Sequence, residues 1–445
     1  MKQITYKSLA LAFSCAIFLL SFMSCKKTEF LPEPEGTKVP YKDDATQTVE
    51  QLLAASPAKL FFTAWQKSNL PAQLKENGKN TQFTLLVPSD AALNAAGISA
   101  TVISQMPVKE LDSLVMFYTS IGKVNKESLN STSLMVKTLL EHKGLRVKYF
   151  DSKLDNQQQY DPYFYKQYLA IKGDELLANG KSMGKLNYLP ATNGAVYLLE
   201  KVIQRPDKTL AEVLKADGRF NTYLELLRQT DEQYLEIMIT QLEPLFGYRM
   251  SVEEYKDNFS GRRMFFGDEW GGINRPPYAS YNGPNITVST YFAPTDDAFK
   301  KAGFQSITAI MKFNERNNVR FDDNTFEPSG SFATDSILTY HQDWGRMFAT
   351  KDPSYGINAP NNTVFFSNDL VPALNDYYVN TGGTANAIYS YKNPIRFTTG
   401  ANGVELQVKE SSFEPAHVVE TDLNSLNGPI HVVEHLLIPK GFKLN

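Results

Sequence analysis

Two tandem α+β domains are what this 445-residue sequence predicts, and three duplicated patterns predict them. The first is the stretch 287–299. Val288, Thr290 and Phe292 are β-formers at period two, which predicts a strand with one buried face. Pro294 ends the ladder because it has no N–H to donate, Thr295 and Asp296 are capping residues, and 298–301 reads as a short helix stopped at Gly303. The same construction occurs 206 residues earlier, where Pro88, Ser89, Asp90, Ala92 and Gly97 stand at the corresponding places. The second pattern is an Asn-Gly turn feeding an aliphatic strand, at Asn193-Gly194 and again at Asn427-Gly428. The third is a capping-box spacing, Thr48 with Gln51 and Thr209 with Glu212, each followed by helical apolar periodicity.

In chain order, 1–24 reads as a secretion signal: Lys2 and Lys7 precede an apolar run from Leu9 to Leu20 that is short for a bilayer span. The junction Ser24-Cys25 resembles a bacterial lipoprotein cleavage site, so Cys25 is the expected lipidated residue. An ordinary cleaved signal is the alternative. Cys15 leaves with the signal, so the mature chain has one cysteine and no internal disulfide. Residues 25–45, broken by Pro32, Pro34 and Pro40, read as a tether. Domain one is expected over 46–206, opened by a helix from Thr48. Arg205-Pro206-Asp207 is too short a junction to let the domains swing freely. Domain two is expected over 207–441, with irregular insertions at about 231–285 and 352–394.

The ordered motifs Phe292-Ala-Pro-Thr-Asp-Asp-Ala-Phe299, Tyr340-His341 and Asn427-Gly-Pro-Ile-His431 resemble the fasciclin (FAS1) domain family, most specifically in the second half. In the first half Tyr118 stands where His341 stands, and Tyr197 where His431 stands. The resemblance implies two β-wedge or β-sandwich domains with packed helices, and a non-enzymatic adhesion or binding role in the cell envelope. It gives Pro294, Thr295, Asp296, Tyr340, His341, Asn427, Gly428 and His431 mainly structural roles. Together with the signal it places the protein at the outer membrane, anchored by lipid and exposed to a protein or polysaccharide partner.

Chemistry-bearing patterns are few. A net charge of −3 gives no basic footprint for nucleic acid. His431-Val-Val-Glu-His435 fits the H-x-x-E-H zinc pattern, but that chemistry needs a helix, where i and i+4 lie about 6 Å apart. On the strand expected here four residues span about 13 Å, too far to share a zinc. No metal or cofactor is therefore expected, and no P-loop, dinucleotide fingerprint or nucleophile elbow occurs. The aromatic- and arginine-rich segment 231–285 is either a partner surface or a small local core. On the first reading Tyr248, Trp270 and Tyr281 are the contact residues, with Arg263 as a polar partner. A glycan-active enzyme or an accessory subunit of a polysaccharide-utilisation system is the alternative function, although Glu254, Asp268 and Glu269 form no recognisable carboxylate pair. The anchor is directly testable: metabolic labelling with a clickable fatty acid should mark the mature protein and fail on Cys25→Ser. An unlabelled mature protein would refute lipidation.

Overall fold

The structure is a computed structural model. It describes residues 45–76, 81–151, 157–252, 254–255, 284–286, 288–316, 319–322, 327–342, 364–384, 387–401 and 403–443. The leader, Cys25 and the tether as far as residue 44 lie outside the described residues, and so does Thr287.

The first half opens with helices α1 (Val49–Ala55), α2 (Lys59–Lys67) and α3 (Leu70–Glu76), then strand β1 (Phe83–Pro88). Helices α4 (Asp90–Ala95), α5 (Ala100–Gln105) and α6 (Val108–Phe117) lead to β2 (Thr119–Ile121). The long hairpin β3 (Leu134–Asp151) and β4 (Gln157–Lys172) follows, then β5 (Glu175–Ala178), β6 (Lys181–Lys185), β7 (Tyr188–Ala191) and β8 (Gly194–Leu199). These strands form one sheet in the order β6-β5-β4-β3-β2-β1-β8-β7. Its centre is a parallel pair, β1 on β8, with Phe83 opposite Gly194.

The second half begins with α7 (Leu210–Asp217) and α8 (Asn221–Phe246), then β9 (Asn285–Ile286) and β10 (Tyr291–Pro294). Next come α9 (Asp296–Lys301), α10 (Ile307–Met311), the hairpin β11 (Arg320–Asp322) and β12 (Glu327–Ser329), and α11 (Ala333–Gln342). After them stand the hairpin β13 (Tyr378–Thr384) and β14 (Ala387–Lys392), then β15 (Ile395–Gly400), β16 (Gly403–Val408), β17 (Ala416–Ser425) and β18 (Gly428–Val433). The second sheet runs β10-β18-β17-β16-β15 and repeats the parallel central pair, with Tyr291 opposite Ile430.

The central strands are buried on both faces, not on one as their period-two pattern predicts. Alternation still sorts the side chains. Tyr291, Ala293, Ile430 and Val432 join the helices α7 to α10 in one core, while Phe292 and Val433 join Ile395, Phe397 and Leu406 in another. Layers on both sides of the pair leave no solvent face for polar residues to mark.

Two expectations about the insertions need correction. Residues 231–246 are not irregular: they continue α8, burying Tyr234, Leu235, Met238, Ile239 and Leu242 in a core with Tyr255 and Phe332. The spacing of those apolar residues is helical, and Pro244 sits within the last turn, where it does not stop the helix. Within 352–394, the described part holds two 3₁₀ turns and the β13–β14 hairpin. The glycines at 382 and 383, one of them at a register shift, hide that hairpin from a β-pattern reading.

The halves are joined by more than the chain. β9 pairs in parallel with β3. Ile286, Val288, Val364, Phe366 and Leu426 from the second half lie in the core of the first. Tyr163 donates its hydroxyl to the Leu426 carbonyl at 3.2 Å, and the Ser133 N–H reaches Asp369 Oδ1 at 2.7 Å.

At the start of each parallel pair only glycine fits. A Cβ at Gly428 would lie 2.1 Å from the Ser289 carbonyl oxygen, and one at Gly194 would lie 1.9 Å from that of Phe83. Both have positive φ, +113° and +157°. Gly428→Ala and Gly194→Ala should each destabilise the protein by about 2–4 kcal/mol, read by urea denaturation. A wild-type midpoint would show that the strands do not need this close approach.

Candidate functional site

The motif residues gather around the two parallel pairs, and the hydrogen bonds there match between the halves. Asn427 accepts the Leu210 N–H on its side-chain oxygen at 3.0 Å, and its carbonyl accepts the Ser289 N–H at 2.8 Å. Asn193 does the same for Val49 at 2.8 Å and Phe83 at 3.0 Å. Leu210 and Val49 are first residues of helices, whose N–H groups have no partner within the helix. The Asn side chain supplies one, beside the capping boxes Thr209–Glu212 and Thr48–Gln51.

The acidic motif residue is a cap supplied from another element. Asp296 Oδ1 accepts the Thr222 N–H at 2.6 Å, and Asp90 Oδ1 accepts the Leu60 N–H at 2.8 Å. Both recipients sit in the first turn of a helix whose own N-cap, Phe220 or Ala58, offers no side-chain hydrogen bond. Thr295 and Ser89 cap their own helices, and Pro294 and Pro88 end the strands before them.

The histidine positions hold the deepest ties. His341 on α11 is fully buried; its Nδ1 lies 2.8 Å from the Phe292 carbonyl, and its Nε2 accepts the Leu437 N–H at 3.0 Å. Since a carbonyl only accepts and an amide only donates, the ring is neutral with its proton on Nδ1. Burial holds its pKa down at about 4. In the first half Tyr118 takes the equivalent place: its hydroxyl accepts the Ile203 N–H at 3.1 Å and lies 3.3 Å from the Ile203 carbonyl. His431 on β18, also fully buried, donates from Nε2 to the Phe365 carbonyl at 3.0 Å, while Thr290 Oγ1 accepts the Phe365 N–H at 2.7 Å. Tyr197 and Thr84 make the same two bonds to Val124, both at 2.9 Å. Tyr340, beside His341, is half-buried against the core around Phe292 and Phe397.

His431 and His435 have separate surroundings. The first points into the core, and the second, past the end of β18, lies 3.6 Å from Glu414. Among the described residues no group of three or more His, Cys, Asp or Glu is arranged to hold a metal.

Of the residues expected to touch a partner, Tyr248 is 49% exposed and donates its hydroxyl to Glu254. Arg263, Trp270 and Tyr281 lie outside the described residues, as do Asp268 and Glu269. Leu245, Phe246 and Val252 are also exposed, at 61%, 48% and 39%. Leu245 and Phe246 end α8, and Val252 lies in the wall of a cleft of about 1210 Å³ whose lining also includes Leu214, Leu227, Leu235, Met250, Met311 and Phe332. Arg249, at its edge, is paired with Glu236 at 2.6 Å and Glu243 at 3.5 Å.

The hydrogen-bonding roles of three residues are not evident in the sequence reading. Thr84 and Thr290 could have been found, because they stand 206 residues apart like the prolines. Asp422 could not: it is buried at φ +59° on β17, where it accepts from the Ser367 N–H at 2.8 Å and from the Ser367 hydroxyl. His431→Ala leaves the Phe365 carbonyl without its donor, and Tyr197→Phe does the same to Val124. Each should cost about 1–3 kcal/mol in urea denaturation. Equal midpoints for either variant and wild type would show that the tie contributes nothing.

Residues 56–205 match the family model described as the Fasciclin domain. Human periostin is 23% identical over 334 residues, covering 72% of this chain and 27% of periostin, so the match spans well under a third of that relative. A solved FAS1 domain pair from the insect cell adhesion molecule fasciclin I aligns at a TM-score of 0.27 and 15% identity, over 86% of this chain and 98% of that one. Residues 56–205 are a fasciclin domain, and the second half repeats the buried hydrogen bonds of that segment.

Proposed function

We propose that this protein is a non-enzymatic, lipid-anchored protein of the cell envelope that adheres to a protein partner through its second domain. The observation carrying the proposal is the group of exposed apolar residues at and just past the end of α8, Leu245, Phe246, Tyr248 and Val252, together with the cleft that Val252 helps to line. Clustered exposed apolar residues of this kind mark interaction surfaces. The first domain makes the same central ties without a counterpart to the long continuation of α8, so the core hydrogen bonding does not require that segment. The fasciclin domain over 56–205 and the similarity to periostin support an adhesive role. The leader and Ser24-Cys25 support export and anchoring, and no described helix is long and apolar enough to cross a membrane.

Because α8 carries core residues, the test leaves it intact. One variant replaces 256–283 with a Gly-Ser linker, a second carries Phe246→Ala with Tyr248→Ala, and a third carries Arg263→Ala, Trp270→Ala and Tyr281→Ala. Partners are captured from native membranes by cross-linking, and affinity for the purified partner is then measured. Loss of at least about 2 kcal/mol of binding in the folded variants is expected. Unchanged affinity in all three, or capture of polysaccharide alone, would overturn the proposal.

A further inference from the structure

The two domains make the same buried ties with different chemistry, and the difference matters in acid. In the second domain the C-terminal segment after β18 is held by a neutral imidazole: the Leu437 N–H donates to His341 Nε2 at 3.0 Å. A protonated Nε2 carries a hydrogen and cannot accept. Protonation therefore breaks this bond and places two N–H groups against one carbonyl and one amide. In the first domain the corresponding bond, Ile203 N–H to Tyr118 at 3.1 Å, ends on a phenol hydroxyl, which gains no proton in mild acid. We propose that the His341–Leu437 tie is an acid-released latch, so that near pH 5 the second domain loosens at its C-terminal segment while the first domain stays closed.

The surroundings of both histidines favour the neutral ring. His341 faces the Tyr223 ring from α8, the Phe292 carbonyl from β10 and the Leu437 amide. None of these is charged, and burial is the main cause of its depressed pKa, about 4. His431 is likewise held down by burial; Asp422 from β17 opposes this by favouring the charged form. Tyr118 is pushed up to about 12 and Tyr197 is pushed up as well, both by burial, so both stay neutral across the acid range. The first domain's own histidine, His142, lies against Tyr163 and Tyr165 and takes no part in the Ile203 tie.

The sign follows from linkage. A histidine whose folded pKa lies below its unfolded value contributes stability above the unfolded value of 6.5, and that stability is lost as pH falls. Asp369, at the junction of the halves, acts in the opposite sense. Burial raises its pKa, with Asp422 adding to the rise, while the amides of Ser133 and Phe366 lower it, so acid favours its folded form. A fall in global stability alone is therefore a poor readout, and a local one is required.

The experiment is amide hydrogen exchange by mass spectrometry on the full chain at pH 7.5 and pH 5.0, corrected for intrinsic exchange. From 6.5 and about 4, peptides covering 436–438 should open about 30-fold more at pH 5.0, and peptides covering 202–204 should not change. His341→Tyr, which copies the first domain, should abolish the response. An equal response in both segments, no response in 436–438, or an undiminished response in folded His341→Tyr would overturn the proposal. Should His341→Tyr not fold, the comparison of the two segments within the native chain decides.

Discussion

Each half of the molecule depends on one constraint: two parallel strands approach so closely at their start that no side chain fits between them. The approach is made at Gly194 and Gly428, against Phe83 and Ser289. It fixes the register of β1 on β8 and of β10 on β18. The neighbouring asparagines then sit where each can satisfy the first N–H of a helix, which ties α1 and α7 to their sheets. Asp90 and Asp296, just past the other strand of each pair, reach the second helix in the same way. Helices that lack good caps of their own are completed by residues the strand pair positions. Such a helix start, buried without a partner, would lose about 1–3 kcal/mol for each unmet group. The strand–proline–cap–helix motif is thus an assembly device, and its conserved chemistry between the halves needs no substrate to explain it.

The halves differ where hydrogen bonds cross from helix or strand to loop or tail. Tyrosine and histidine serve equally there at neutral pH, because each presents a neutral polar atom at the end of a flat apolar ring. They are not equivalent in detail. The Tyr118 hydroxyl addresses both the N–H and the carbonyl of Ile203, whereas His341 divides its two nitrogens between Phe292 and Leu437. The histidine therefore links three elements, α11, β10 and the C-terminal segment, and the tyrosine joins α6's end to one residue. Around this shared frame the second half adds the longer α8 and its own core with Tyr255 and Phe332.

Much of this was legible in the sequence because it rests on local rules. Pro294, Thr295 and Gly303 announce a strand end, a cap and a helix stop, and the Asn-Gly pairs announce the turns into β8 and β18. The strand position of His431, which sets it apart from His435, follows from the same turn. What escaped was set by tertiary contact. Burial of both faces of β10 depends on what packs against it, and Asp422 is placed by Ser367 from a distant loop. The helix through 231–246 is obscured for another reason: the aromatics and arginines of 231–285 suggest a surface, although Tyr234, Met238 and Leu242 repeat every fourth residue on one side.

The two motif histidines carry opposite tautomers. His341 carries its proton on Nδ1 because Nε2 accepts from Leu437; His431 carries its proton on Nε2 because Phe365 offers only a carbonyl. Nitrogen-15 NMR of histidine-labelled protein at neutral pH distinguishes the two forms directly. Two neutral rings in slow exchange with solvent are expected, one of each tautomer, assigned by His341→Tyr and His431→Tyr. Two rings of the same tautomer, or rings averaged between charged and neutral forms, would contradict this assignment.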